Sequence, residues 1–170
     1  MEKSEWNVTL DKMGTALLVL MKQKPFEKIT ADEIAAEAGV GRVTYFRNFS
    51  SKEDLLSSYL LVSYKRYCEE HFPYGDVYEK LPVSVRRLFS FGFQIQDVHR
   101  LIVSAGRESA IYEAYRKASK EAASTGQWQE DSLKVFVTIG LFGVIHNWIM
   151  SGCRQSPQEM TDWFLSTIRM

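Results

Sequence analysis

Three cations stand between residues 39 and 52 with no acid among them: Arg42, Arg47 and Lys52, a local charge of +3. Hydroxyls at Thr44 and Tyr45 are interleaved with them. Such a segment suits a polyanion, because cations that neutralise phosphates release the condensed counterions. The rest of the chain offers little competing chemistry. His71, His99 and His146 are scattered and form no metal constellation, and Cys68 and Cys153 show neither metal spacing nor a disulfide framework. An oxidant-sensing cysteine needs an activated thiolate, and inert buried thiols are commoner. Arg100, Arg107 and Glu108 read as a solvated or paired cluster. There is no Gly-rich phosphate loop, no nucleophile motif and no carboxylate pair at a recognisable spacing, so an enzyme is disfavoured and no cofactor is implied.

The positioning elements surround that segment. From residue 26 to residue 56 the sequence reads as two short helices about a tight turn, followed by the start of a third. Thr30 is an N-cap candidate with Glu33 three residues on, the signature of a capping box. Ile34, Ala35 and Ala38 give a small apolar face at helical spacing. Gly39 stands where that helix must stop, and a second short helix follows over residues 41–46. Helix, Gly-containing turn and helix make a helix-turn-helix, a unit that places its second helix in the DNA major groove. Two such helices bury too little surface alone. A preceding helix over 9–24 supplies the missing core through Leu10, Met13, Leu17, Leu20 and Met21, and Pro25 ends it. Residues 1–8 carry no pattern and are expected to fray. Phe26 and Ile29 plug the space behind the turn. Helix 4 begins near Lys52, capped by Ser50 with Glu53 or by Ser51 with Asp54, and runs to about residue 70.

The whole chain of 170 residues holds one domain, or two small ones sharing a helix. With 45% hydrophobic and 25% charged residues it suits a globular core and argues against disorder. The formal net charge of +0 means that any footprint for nucleic acid has to be local. The N-terminus lacks the basic-then-apolar run of a signal peptide. The most apolar stretch, 135–145, is too short to span a bilayer and is interrupted by Gly140 and Gly143. A cytoplasmic protein with no membrane partner is expected. Beyond residue 75 everything reads as helix: one opening at Pro82, one over 97–105 with Gly106 as its stop, one over 109–123 closed by Thr125-Gly126, one over 129–151 closed by Gly152, and a last one. That last helix opens on Ser156-Pro157-Gln158-Glu159, a capping serine with proline in the first turn and glutamate completing the box. The fold class is therefore all-α with about nine helices.

With these elements in place the chain resembles the TetR family of bacterial transcription regulators. The matching residues are Phe26-Glu27-Lys28-Ile29-Thr30, Ile34-Ala35, Ala38-Gly39-Val40, Thr44-Tyr45-Phe46, Asn48-Phe49 and Ser51-Lys52-Glu53-Asp54-Leu55. They cover roughly the first third of the chain. Further on, Gly140, Gly143, Trp148, Gly152 and residues 156–160 resemble the dimer-forming end of compact members related to the dihydroxyacetone-kinase regulator branch. The resemblance implies a DNA-binding domain over 1–51 and a small helical ligand-binding and dimerisation domain over 52–170.

It also implies roles. Helix 3 enters the major groove, and its early residues Gly41, Arg42 and Val43 face base edges. Arg42 is the base reader, since a guanidinium can donate two hydrogen bonds to guanine, with a phosphate contact as the alternative. Thr44 and Tyr45 match positions that bind phosphate through hydroxyls, with packing the alternative for Tyr45. Arg47 and Lys52 add charge contacts, and Lys52 sits at the phosphate-favouring start of helix 4. Thr30 caps helix 2 and is a second-rank candidate for phosphate. Phe46 and Phe49 are assigned to the three-helix core. Gly39 is expected to be left-handed, whereas Gly41 either permits close approach to DNA or is a neutral choice.

In the C-terminal part Phe136, Ile139, Gly140, Gly143, Val144, Asn147 and Trp148 line one side of the helix over 129–151, helix 8, and Met160, Trp163, Phe164 and Thr167 line the last helix, helix 9, which opens at Ser156-Pro157. Pairing with symmetry mates, as the family does, makes a four-helix seam; the alternative is that the stripe is monomer core. A homodimer sets two reading helices about one DNA turn apart, ~34 Å, over a near-palindromic operator. Family resemblance further implies a cavity among helices 4 to 8 for an unidentified small-molecule effector. Tyr64, Tyr67, Phe89, Phe93, Tyr112, Tyr115 and Trp128 are aromatic enough to line it, or form ordinary core. The expected function is a dimeric, ligand-responsive repressor; the rival is a TetR-like adaptor that no longer binds an operator.

Overall fold

The computed structural model describes residues 3–71, 81–122 and 128–168, and among these every regular element is helical. Nine α-helices follow one another: α1 (Lys3–Met21), α2 (Ala31–Glu37), α3 (Arg42–Asn48), α4 (Lys52–His71), α5 (Leu81–Gln94), α6 (Gln96–Ser104), α7 (Glu108–Ala122), α8 (Trp128–Met150) and α9 (Pro157–Ile168). A single 3-10 turn, Phe26–Lys28, lies between α1 and α2. The expected ends agree with these within one or two residues except at the start, where α1 begins at Lys3, and at its end, where it stops at Met21 and residues 22–24 form a turn ahead of Pro25. The expected Thr125-Gly126 stop lies outside the described residues.

The chain forms two compact units. The first takes everything described up to Ser63 together with Leu101–Ala114; the second takes the remainder, and the divisions fall inside α4, α6 and α7. The opening turns of α4, just past residue 51, bury Leu55, Leu56 and Leu60 in the core of the first unit.

In the first unit α1 packs on α2 and α2 on α3. Leu10, Met13, Leu17 and Leu20 from α1 meet a core that also holds Phe26, Ile29, Ile34, Ala35, Tyr45 and Phe49, all buried. Burying side chains of this size stabilises by about 1.5–3 kcal/mol each before the entropy of ordering is subtracted. One close approach is set by a missing side chain: a Cβ added at Gly14 would lie 2.9 Å from the Cβ of Tyr59. Two further residues hold the 3-10 turn. Lys52 donates from Nζ to the carbonyl oxygens of Phe26 at 2.6 Å and Ile29 at 2.7 Å. Arg107 forms ion pairs with Glu27 and, at 3.7 Å, with Glu53. Both cations lie over the ring of Phe26, Lys52 Nζ at 4.6 Å and Arg107 Cζ at 4.8 Å from its centroid.

In the second unit α5 packs against α9 and α8. Its core includes Val85, Leu88, Phe89, Leu141, Ile145, Trp148 and Phe164. Here too a glycine permits contact, for a Cβ at Gly92 would stand 2.8 Å from Ile145 Cγ2. The buried His99 lies 3.2 Å from His146, Nε2 to Nδ1. Burial, then His146 and Arg100, lower the His99 pKa to about 4. The α9 box forms as expected, with the Glu159 amide donating to Ser156 Oγ at 3.2 Å and the Ser156 amide to the Glu159 carboxylate at 2.7 Å.

Candidate nucleic-acid interface

The turn between α2 and α3 is built from its caps. Thr30 accepts at Oγ1 from the Glu33 amide at 3.2 Å, while the Glu33 carboxylate accepts from the Thr30 amide at 2.9 Å and its hydroxyl at 3.0 Å. Lys24 pairs with the same carboxylate. The Lys24 hydrogen bond and the Thr30 contacts bring the Glu33 pKa down to about 2. The Thr30 hydroxyl is thus used within the cap. At the other end of α2 the Val40 amide reaches the Ala35 carbonyl at 2.9 Å and the Gly39 amide the Ala36 carbonyl at 3.1 Å. That double closure is a Schellman turn, and Gly39 adopts the left-handed φ of +64° that it requires. Gly41 is different. It caps α3 with φ −69°, and an added Cβ would meet only Thr44 Oγ1 at 3.7 Å. The fold itself does not demand glycine at 41.

α3 then divides its side chains. Tyr45 and Phe49 face inward, Tyr45 only 3% exposed. Arg42, Val43, Phe46 and Arg47 face out, with Val43 at 68% and Phe46 at 58%. Thr44 is half-buried, and its carbonyl accepts from Asn48 Nδ2 at 2.7 Å. The Arg42 Nε forms an ion pair with Asp32 Oδ1 of α2 at 2.9 Å, and its guanidinium carbon lies 5.4 Å from the Phe46 ring centroid.

Three sequence-based assignments change here. Tyr45 is core: its ring contacts those of Phe46 and Phe49, and burial, with Glu53 and Asp54 nearby, raises its phenol pKa. A phenol so placed does not present itself to phosphate. Lys52 is also structural, since its ammonium is spent on two backbone carbonyls and the Phe26 ring. Phe46 moves the other way, from expected core to exposed face. The α4 cap is shared: Ser51 Oγ accepts from the Asp54 amide at 3.0 Å, while the Asp54 carboxylate takes the Ser50 amide at 3.1 Å.

The other expected sites, Tyr112 apart, belong to the second unit. On α8 Phe136 is 74% exposed, Ile139 and Val144 are half-buried, and Gly140, Gly143 and Asn147 are exposed. On α9 Trp163 is 51% exposed, Met160 half-buried and Thr167 exposed. Trp148 and Phe164, expected at the seam, are instead buried around Phe89, with ring centroids 5.7 Å and 6.4 Å from it. Trp148 also donates to the Gln155 carbonyl at 3.2 Å. Val144, Asn147, Ser151, Met160 and Trp163 line an open groove of about 670 Å³ with one edge of Trp148.

The aromatic residues suggested for a ligand cavity pack mainly on other rings. Tyr64 and Tyr67 meet Phe91 at 5.3 Å and 5.6 Å, and Tyr115 meets Phe142 at 5.4 Å. Burial raises the pKa of both Tyr64 and Tyr115. Phe89 is fully buried. Phe93 is partly exposed and stacks on Trp148, while Tyr112 is partly exposed and belongs to the first unit. The Trp128 side chain lies outside those described. No group of three or more metal-ligating side chains occurs among the described residues, and no described helix is long and apolar enough to cross a membrane.

Residues 15–59 match the family model for bacterial regulatory proteins of the tetR family. This match spans the end of α1, the 3-10 turn, α2, α3 and the first turns of α4, and it ends before the second unit. Among solved structures the fatty acid degradation regulator FadR from Bacillus halodurans is similar at 21% identity, over 90% of each chain, with a TM-score of 0.47. That likeness is too loose to argue from. No curated protein sequence matches.

Proposed function

From a chain that carries the tetR-family DNA-binding domain at residues 15–59, we propose a dimeric transcription regulator that reads a near-palindromic operator with α3. The observation that carries this reading is the outward face of α3: Arg42, Val43, Phe46 and Arg47 stand exposed on a helix whose opposite face is anchored in the core by Tyr45 and Phe49. Arg42 reads a base edge and Arg47 neutralises phosphate. Thr44 lends a hydroxyl to the backbone contact, and Gly41 leaves room for it. Lys52 and Tyr45 serve by holding the reader rigid.

The dimer seam in this reading is the exposed part of α8 and α9: Phe136, Ile139, Gly140, Gly143 and Val144 with Asn147, Met160, Trp163 and Thr167. Apolar side chains as exposed as Phe136 and Trp163 support a partner surface. A ligand acts by favouring one of two head separations, and its effect is bounded by its differential affinity for them. Repression is the expected outcome, in a cytoplasmic setting.

The test is a random-site selection on purified protein at two salt concentrations. An enriched palindrome whose affinity falls steeply with salt is expected. Recovery of no enriched sequence would remove the DNA reading and favour the adaptor. That rival is supported by the neutral chain and by the internal use of Lys52 and Tyr45, which leaves fewer residues that only DNA explains. For the seam, Phe136→Glu and Trp163→Glu should each give monomers by light scattering. Both side chains are exposed, so neither change should unfold the protein; dimers that persist in both would discard this seam.

A further inference from the structure

Among the described residues, Val43 and Phe46 are the two most exposed large apolar side chains of the first unit. They sit one turn apart on α3, next to Arg42 and Arg47, and no core needs them. Arg42 is held by Asp32 at Nε and over the Phe46 ring, so its terminal nitrogens carry no partner among the described residues. We propose that Val43 and Phe46 read the 5-methyl groups of thymines in the major groove, Phe46 taking the thymine that adjoins the guanine bound by Arg42. The inference rests on the DNA reading above and specifies its ligand.

The major-groove edges of guanine, cytosine and adenine present donors and acceptors, and the thymine methyl is the apolar group on offer there. A phenyl ring pressed on a cytosine or adenine edge would strip water from an amino group and leave it unpaired, which costs more than the contact returns. Against a methyl group the same ring loses nothing. The 5.4 Å separation of the guanidinium from the ring couples the two contacts. Where the terminal nitrogens of Arg42 engage guanine O6 and N7, the Phe46 ring beneath them faces the neighbouring base. Asp32 is then a positioning residue, which keeps the guanidinium over the ring before DNA arrives. The patch is flanked by cations, which favours a polyanion as its occupant over an apolar protein surface.

The experiment uses the full-length protein and the duplex recovered by selection. Each thymine is replaced in turn by deoxyuridine, which keeps the pairing and removes only the methyl group, and affinity is measured by fluorescence anisotropy. Loss of one buried methyl should weaken binding about fourfold at one or two positions in each half-site. In Phe46→Ala the thymine-to-uracil ratio at the base beside the guanine should fall to about one, and in Val43→Ala the other ratio should do so. Equal affinity for thymine and uracil at every position of a tightly bound palindrome would overturn the methyl reading and leave DNA recognition intact. Failure to select any duplex would overturn both, and assign the Val43–Phe46 face to a protein partner. Circular dichroism of the alanine variants guards against misfolding, which the exposure of both side chains makes avoidable.

Discussion

Two places in the first unit set cations over an aromatic ring, and they do so to opposite ends. On α3 the guanidinium of Arg42 lies over Phe46 with both groups exposed. Behind the turn, Lys52 and Arg107 lie over Phe26, which is 2% exposed; the Lys52 ammonium is tied to two carbonyls, and a terminal nitrogen of Arg107 pairs with Glu27 while its Nε makes no hydrogen bond. The chemistry is the same and the solvent differs. A half-buried ammonium that satisfies two carbonyls holds the fold together, whereas an exposed guanidinium with one carboxylate neighbour gains little from it and stays available. Lys52 and Arg47 are five positions apart in one basic segment, yet their side chains belong to the two different settings.

The contrast breaks most sharply at Lys52. Lys52→Met should destabilise the protein by about 2–3 kcal/mol, read as a lower urea midpoint, because charge-assisted bonds to two carbonyls are lost together. An unchanged midpoint would mean that the clamp is ornamental. Arg42→Ala should do the converse: stability within about 0.5 kcal/mol of the parent, and a preference for guanine reduced by about 1–3 kcal/mol at one operator position. A third cation sharpens the comparison through pH. Lys24 pairs with Glu33, whose folded pKa of about 2 lies below its ordinary 4.5. The unfolded chain therefore binds the proton first, so this contribution is complete above about pH 4.5 and lost as pH falls towards 2. Acid titration of Glu33→Gln should lack that component, and an identical profile would detach the pair from stability. The smallest effect is expected for Arg47→Ala: a weaker affinity for every sequence and a salt slope lower by about one phosphate's share.

Much of the architecture was legible in the sequence because its signals are local. Both capping boxes and the stops at Gly39, Gly106 and Gly152, all with positive φ, depend on residues a few places apart. The errors cluster where the deciding partner is distant. Tyr45 and Phe46 are adjacent aromatics on a seven-residue helix, too short for its own periodicity to say which faces in. Packing against α2 decides it. The partners of Lys52 lie before α2, and those of Arg107 lie in the 3-10 turn and in α4, so no local pattern announces either. Trp148 sits on a helix that is apolar nearly all round, where a stripe has no clear edge. Its inward direction is fixed by Phe89 and Gln155.

The glycines of the second unit carry a consequence for how the chain tolerates change. At Gly92 a side chain would strike Ile145, so the monomer alone forbids one. At Gly140 and Gly143 nothing lies within 4 Å of an added Cβ. Each of those two forgoes about 1 kcal/mol of helix propensity relative to alanine without a gain inside the single chain. Alanine at 140 and 143 should therefore raise the melting temperature of a monomer. If the same changes lower fitness or melt the assembled protein, the shortfall measures contacts made by another molecule. A mutational scan would in this way locate the partner surface from tolerance alone, with Gly92 as its internal standard.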